Sequence, residues 1–186
     1  MIVDPSCSLE QINQLISGKK LVGILLTHGH IDHTTLIGQL SNKDCPVYIH
    51  ESEINLLFDD YENGSSMLGI KRSYKKESLN IVTVKDNSVI QLIDKEIKVI
   101  YTPGHTKGSV CYLFDECLFT GDTLFKSSIG RTDFPSGNLR QMKDSLRRIF
   151  GTCKSSIKIY PGHDETSTIK EEMKTNEYYL NWVKVK

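Results

Sequence analysis

The chain has 186 residues, enough for one domain with a substantial buried core. Lysine plus arginine and aspartate plus glutamate each number 23, so no net charge draws in nucleic acid or an anionic membrane. No apolar stretch approaches the length of a membrane span, and no basic-then-apolar leader opens the sequence. Five cysteines, odd in number and without a CxxC spacing, fit reduced thiols in a cytoplasmic protein.

In chain order, Ile2-Val3-Asp4-Pro5 reads as the end of a strand entering a turn. Ser8 and Gln11 form a capping-box pattern, and Leu9, Ile12, Leu15 and Ile16 then make an apolar helix face closed by Gly18. Leu21 to Thr27 is a buried strand that stops at Thr27-His28-Gly29-His30-Ile31-Asp32-His33-Thr34. Three imidazoles and one carboxylate within six residues, on the loop beyond a strand, make a metal site. His28 and His30, two apart, can converge on one ion, and Asp32 and His33 can turn toward a second.

A short helix is expected from about Thr34 to Leu40, a strand over Pro46 to His50 and a helix over Glu51 to Phe58, with His50 read as structural. Asp59 to Asn80 reads as a loop carrying the basic run Lys71 to Lys76, solvated in the plainer reading and a lid over an anionic substrate in the other. Short strands follow near Ile81 to Val84, Ser88 to Ile93 and Ile97 to Thr102. Gly108 to Phe114 and Cys117 to Thr120 make a hairpin around Asp115-Glu116. Leu139, Met142, Leu146 and Ile149 form a helical core stripe, and Thr168 to Trp182 reads as a last amphipathic helix.

The later strand ends supply further ligand types. His105 lies in Thr102-Pro103-Gly104-His105-Thr106, Asp122 in Thr120-Gly121-Asp122-Thr123, and His163 in Pro161-Gly162-His163-Asp164. Each follows a β-rich run and stands beside a glycine, so five of the six histidines are accounted for. HxHxDH, PGHT, TGDT and PGHD in that order resemble the metallo-β-lactamase superfamily over essentially the whole chain. The resemblance implies one α+β domain over 1–186, an αββα sandwich with the site at one edge between two sheets. Family members usually begin with a strand pair before the segment that Ile2 to Pro5 resembles. A strand or two of the first sheet is therefore expected to be missing, which fits a natural short form, a mis-set start codon, or a homodimer that covers the bared edge.

By the same resemblance, His28, His30 and His105 would hold one metal, Asp32, His33 and His163 a second, and Asp122 would bridge them. Two divalent ions, zinc in the first instance and iron or manganese otherwise, would stand roughly 3.5–4 Å apart and lower the pKa of a shared water toward about 7. Asp32 and Asp122 are then the catalytic carboxylates. Asp4 resembles the family's structural aspartate that braces the ligands, although Ser6 stands where glycine is usual. Thr123-Leu124-Phe125 and Gly130-Arg131-Thr132-Asp133-Phe134 look like short bacterial glyoxalase II-like hydrolases, which cleave S-hydroxyacyl thioesters such as S-lactoylglutathione. Arg131 is the substrate-binding candidate, or else the partner of Asp133 in an internal salt bridge. The Gly130 to Phe134 string also resembles persulfide dioxygenases of the superfamily, in which His28, His105 and Asp122 would hold a single iron. A nucleic-acid processing enzyme would want a basic groove, which neutral charge does not offer, and a purely structural metal site would be richer in thiolate.

Overall fold

The computed structural model describes residues 1–184, and the chain forms two compact units, Met1–Val84 and Lys85–Lys186. In the first, β1 (Ile2–Val3), β2 (Ile24–Leu25), β3 (Val47–His50) and β4 (Ile81–Val84) form a parallel sheet in sequence order. Parallel neighbours need long crossovers. These carry α1 (Leu9–Ile16), then α2 (Ile31–Thr34) and α3 (Ile37–Leu40), then α4 (Ile54–Phe58) and α5 (Ser65–Leu68). Ile24, Leu26, Ile37, Val47, Ile49 and Leu57 are buried together as this unit's core.

The capping box forms as the sequence predicts: Ser8 Oγ accepts from Gln11 N at 3.2 Å and Gln11 Oε1 accepts from Ser8 N at 2.9 Å. The helix face behind it is only partly used, because Ile12 is buried while Leu15 stays 77% exposed. The helix expected from Thr34 starts earlier, at Ile31, and is interrupted at Thr35 and Leu36. Its start is fixed from outside: the Ile31 amide donates to the Asn63 carbonyl at 2.8 Å. Asp32 and His33 therefore stand on a helical turn rather than on a free loop.

The second unit is a six-stranded sheet. β5 (Val89–Leu92), β6 (Lys95–Tyr101), β7 (Val110–Phe114) and β8 (Cys117–Gly121) form an antiparallel meander. β9 (Lys158–Pro161) joins β8 in parallel after the crossover helix α6 (Leu139–Thr152), and β10 (Ser167–Thr168) pairs back on β9. Asn138 caps α6 through Gln141 N, and Met142, Leu146 and Ile149 pack on Cys111 and Leu118 of the sheet, whereas Leu139 at the start of the stripe is exposed. The single last helix predicted over Thr168 to Trp182 is two, α7 (Ile169–Thr175) and α8 (Glu177–Trp182). Buried Asn176 divides them. Its Oδ1 accepts from the amides of Tyr178 and Tyr179, capping α8, while its Nδ2 donates to Glu172 and to the Ser128 carbonyl. Among the described residues no helix is long and apolar enough to cross a membrane.

Candidate metal centre

In the first unit, His28 and His30 follow β2 after Leu26 and Thr27, and α2 carries Asp32 and His33. The His28 ring lies 4.7 Å from that of His30 and 4.2 Å from that of His33, centroid to centroid. All three imidazoles are buried, so each depends on the protein for its tautomer.

Asp4 settles two of the three. It stands just past β1 with φ of +45°, a strained backbone for a residue other than glycine. Its Oδ2 lies 3.0 Å from His33 Nδ1, and a carboxylate can only accept, so Nδ1 carries a proton and, in the neutral ring, Nε2 is the nitrogen with the lone pair. The same Oδ2 takes the Thr27 hydroxyl proton at 2.6 Å. The Thr27 oxygen must therefore accept from His28 Nδ1, 3.0 Å away, which leaves His28 Nε2 as the lone-pair nitrogen. Asp4 Oδ1 also accepts from Thr27 N at 2.8 Å, anchoring the carboxylate itself. The bracing role expected of Asp4 has this geometry behind it. Ligand-type atoms of Asp4, His28 and His33 all lie within 4.8 Å of one another.

One brace was not legible in the sequence. Glu53, fully buried, accepts from the Gly29 amide at 2.9 Å, between the two histidines of the HxH turn. A Cβ on Gly29 would come within 2.8 Å of the Leu56 side chain, so the turn packs closely on α4. His50 serves a different end, its Nδ1 accepting from Ser52 N at 3.2 Å, which agrees with the structural reading.

In the second unit the candidate ligands come from three strand ends. His105 follows β6, Asp122 follows β8 and His163 follows β9. A register shift between Phe119 and Gly121 precedes Asp122, and Gly162 N donates to Gly121 O at 2.9 Å, bringing the two ends together. One oxygen, Asp122 Oδ2, stands 3.5 Å from His105 Nε2 and 3.6 Å from His163 Nε2. Both distances exceed a good hydrogen bond. Two ligands each about 2.0–2.1 Å from a tetrahedral ion stand about 3.3–3.4 Å apart, so the spacing suits groups sharing ions. His105 Nδ1 lies 2.7 Å from the Arg131 carbonyl, an obligate acceptor, so this imidazole also presents Nε2 as its lone pair. Gly130 is packed so tightly that an added Cβ would fall 1.9 Å from Asp122 O.

Arg131 contributes its backbone, while its side chain goes elsewhere. Nε and Nη2 each donate to Asp133 at 2.9 Å, and the guanidinium lies 4.5 Å from the Phe134 ring centre. The alternative of an internal salt bridge is the one this geometry matches. Asp133 is held below the usual carboxylate range, chiefly by that hydrogen bond. The cysteines form no ligand set among the described residues: burial pushes the Cys111 thiol up to about 12, where it stays protonated. Neutral imidazoles with fixed tautomers, joined by carboxylates, are the donor set that zinc and iron accept.

A family model described as the Metallo-beta-lactamase superfamily matches residues 1–163. The chain is 33% identical to a Bacillus subtilis protein named "Probable metallo-hydrolase YqgX", over 96% of this chain and 86% of that one. It is 32% identical to the "Probable polyketide biosynthesis zinc-dependent hydrolase PksB" of the same organism, over 88% of this chain and 66% of that one. The crystal structure of TTHA1623 in a di-iron-bound form is 26% identical, with a TM-score of 0.81 over 95% of this chain and 87% of that one. With the expected fold matched and the motif residues placed as described in each unit, this chain belongs to the metallo-β-lactamase superfamily.

Proposed function

We propose that the protein is a metal-dependent hydrolase of thioesters, cleaving an S-hydroxyacyl thiol such as S-lactoylglutathione into hydroxy acid and thiol. On this reading His28, His30 and His105 would hold one ion, Asp32, His33 and His163 a second, and Asp122 would bridge them. The observation that carries it is the single Asp122 oxygen 3.5 and 3.6 Å from two imidazole nitrogens, a bridging position. Bound there, two divalent ions supply a water acidified toward about pH 7 and a Lewis acid for the thioester carbonyl.

The chain's own residues do the rest. Asp4, Thr27 and the Arg131 carbonyl keep the Nδ1 protons of His33, His28 and His105 in place, so each ring presents one nitrogen. Asp32 and Asp122 offset part of the ionic charge. Zinc is the first candidate, supported by the name of the Bacillus subtilis relative, and iron by the di-iron neighbour. The second reading is a persulfide dioxygenase, in which His28, His105 and Asp122 would hold a single iron. Arg131 would meet a glutathione carboxylate only by giving up Asp133, which the paired bonds disfavour. The test is hydrolysis of S-lactoylglutathione by the zinc-loaded protein beside Asp122→Ala and His30→Ala. Turnover lost in both supports the reading; hydrolysis retained in either contradicts it.

A further inference from the structure

We propose that the segment from Tyr61 to Lys75 binds the phosphate-bearing carrier of the thioester, of the coenzyme A type; this rests on the thioesterase reading above. Four large apolar side chains in ten residues face solvent here: Tyr61 at 73%, Met67 at 64%, Leu68 at 52% and Ile70 at 38% exposed. Of these, Ile70 lines the same cavity as Lys71 and Lys75.

The segment is held firmly. Buried Asn63 accepts from Ser65 N at 2.8 Å and donates to the Leu57 carbonyl, and its own carbonyl takes the Ile31 amide at 2.8 Å, next to the ligand His30. Beside it lies a cavity of about 300 Å³ whose walls include Ser65, Ser66, Ile70, Lys71, Tyr74 and Lys75. The Tyr74 hydroxyl lies 2.8 Å from Thr34 Oγ1, so one wall rests on α2, which carries Asp32 and His33.

Charge selects the occupant. Arg72 is committed, with Nε on Asp60 at 2.9 Å, Nη1 on the Tyr74 carbonyl and its plane near the Phe58 and Tyr74 rings. Lys71 and Lys75 are exposed and make no ion pair among the described residues. Two available cations and a serine hydroxyl in a cavity also lined by Ile70 and Tyr74, whose one carboxylate, Asp60, is offset by Arg72, fit phosphates joined to an apolar arm. Pantetheine is such an arm, and a wall of the cavity rests on α2, which carries Asp32 and His33. Glutathione brings carboxylates and an ammonium group but no comparable apolar arm.

Titration calorimetry of the zinc-loaded protein with the unhydrolysable thioethers S-methyl-coenzyme A and S-methylglutathione tests this. The expected result is tighter binding of the coenzyme A thioether, weakened about fivefold in Lys71→Ala/Lys75→Ala, with the glutathione thioether unmoved. Equal binding by both proteins, or preference for the glutathione thioether, overturns the proposal. So does a double variant that loses phosphatidylserine vesicles while keeping S-methyl-coenzyme A, which would assign the surface to membranes. Lysine-dependent binding without hydrolysis of any thioester would leave this site standing and defeat the thioesterase reading instead.

Discussion

In Met1–Val84 the candidate ligands fall within six positions of one another and are braced by carboxylates from distant parts of the chain, Asp4 and Glu53. In Lys85–Lys186 they come from three strand ends, and the bracing is done by backbone: the Arg131 carbonyl, the Gly121 and Gly162 contact, and Gly130 against Asp122. One ligand cluster is a compact motif tuned by charge; the other is assembled by the register of a sheet. The first should respond to changes of charge and tautomer, the second to changes of shape.

The largest effect should come from Asp122→Ala, which removes the oxygen shared by two imidazoles. A loss of turnover of about a thousandfold or more is expected, with fewer metal ions retained per chain by elemental analysis. Gly130→Ala should follow. The added methyl would meet the Asp122 carbonyl at 1.9 Å, and such overpacking costs about 1–3 kcal/mol or more, read as a lower urea midpoint. Asp4→Asn sharpens the contrast, because it keeps the shape and removes the charge that holds His33 and Thr27. Metal affinity should fall about 10–100-fold by competition with a chelator, with the urea midpoint moved less than by Gly130→Ala. The smallest effect concerns thiols: at pH 9, Cys7 at the surface should react quickly with a thiol reagent, while Cys111, its thiol raised by burial to about 12, stays protonated and silent until unfolding.

The same contrast explains what the sequence made legible. HxHxDH could be read directly because its donors are local, and the capping box of Ser8 and Gln11 was readable for the same reason. His105, Asp122 and His163 gained meaning only as an ordered set, since a lone histidine or aspartate beside glycine is ordinary turn chemistry. What escaped depends on partners remote in sequence. Asn63 sets the start of α2 through Ile31, Asn176 divides the last helix, and β10 exists only by pairing with β9. Glu53 reads as a surface residue until its 24-residue reach to Gly29 is seen. The amphipathic face of α1 erred in the other direction, for a helical spacing of leucines does not ensure that each is covered.

The most direct test of the central claim is metal content by elemental analysis of the purified protein, paired with an S-lactoyl-thiol hydrolysis assay. Close to two metal ions per chain with thioester cleavage is the predicted result. One iron per chain, oxygen uptake with a persulfide and no hydrolysis would contradict it and establish the dioxygenase.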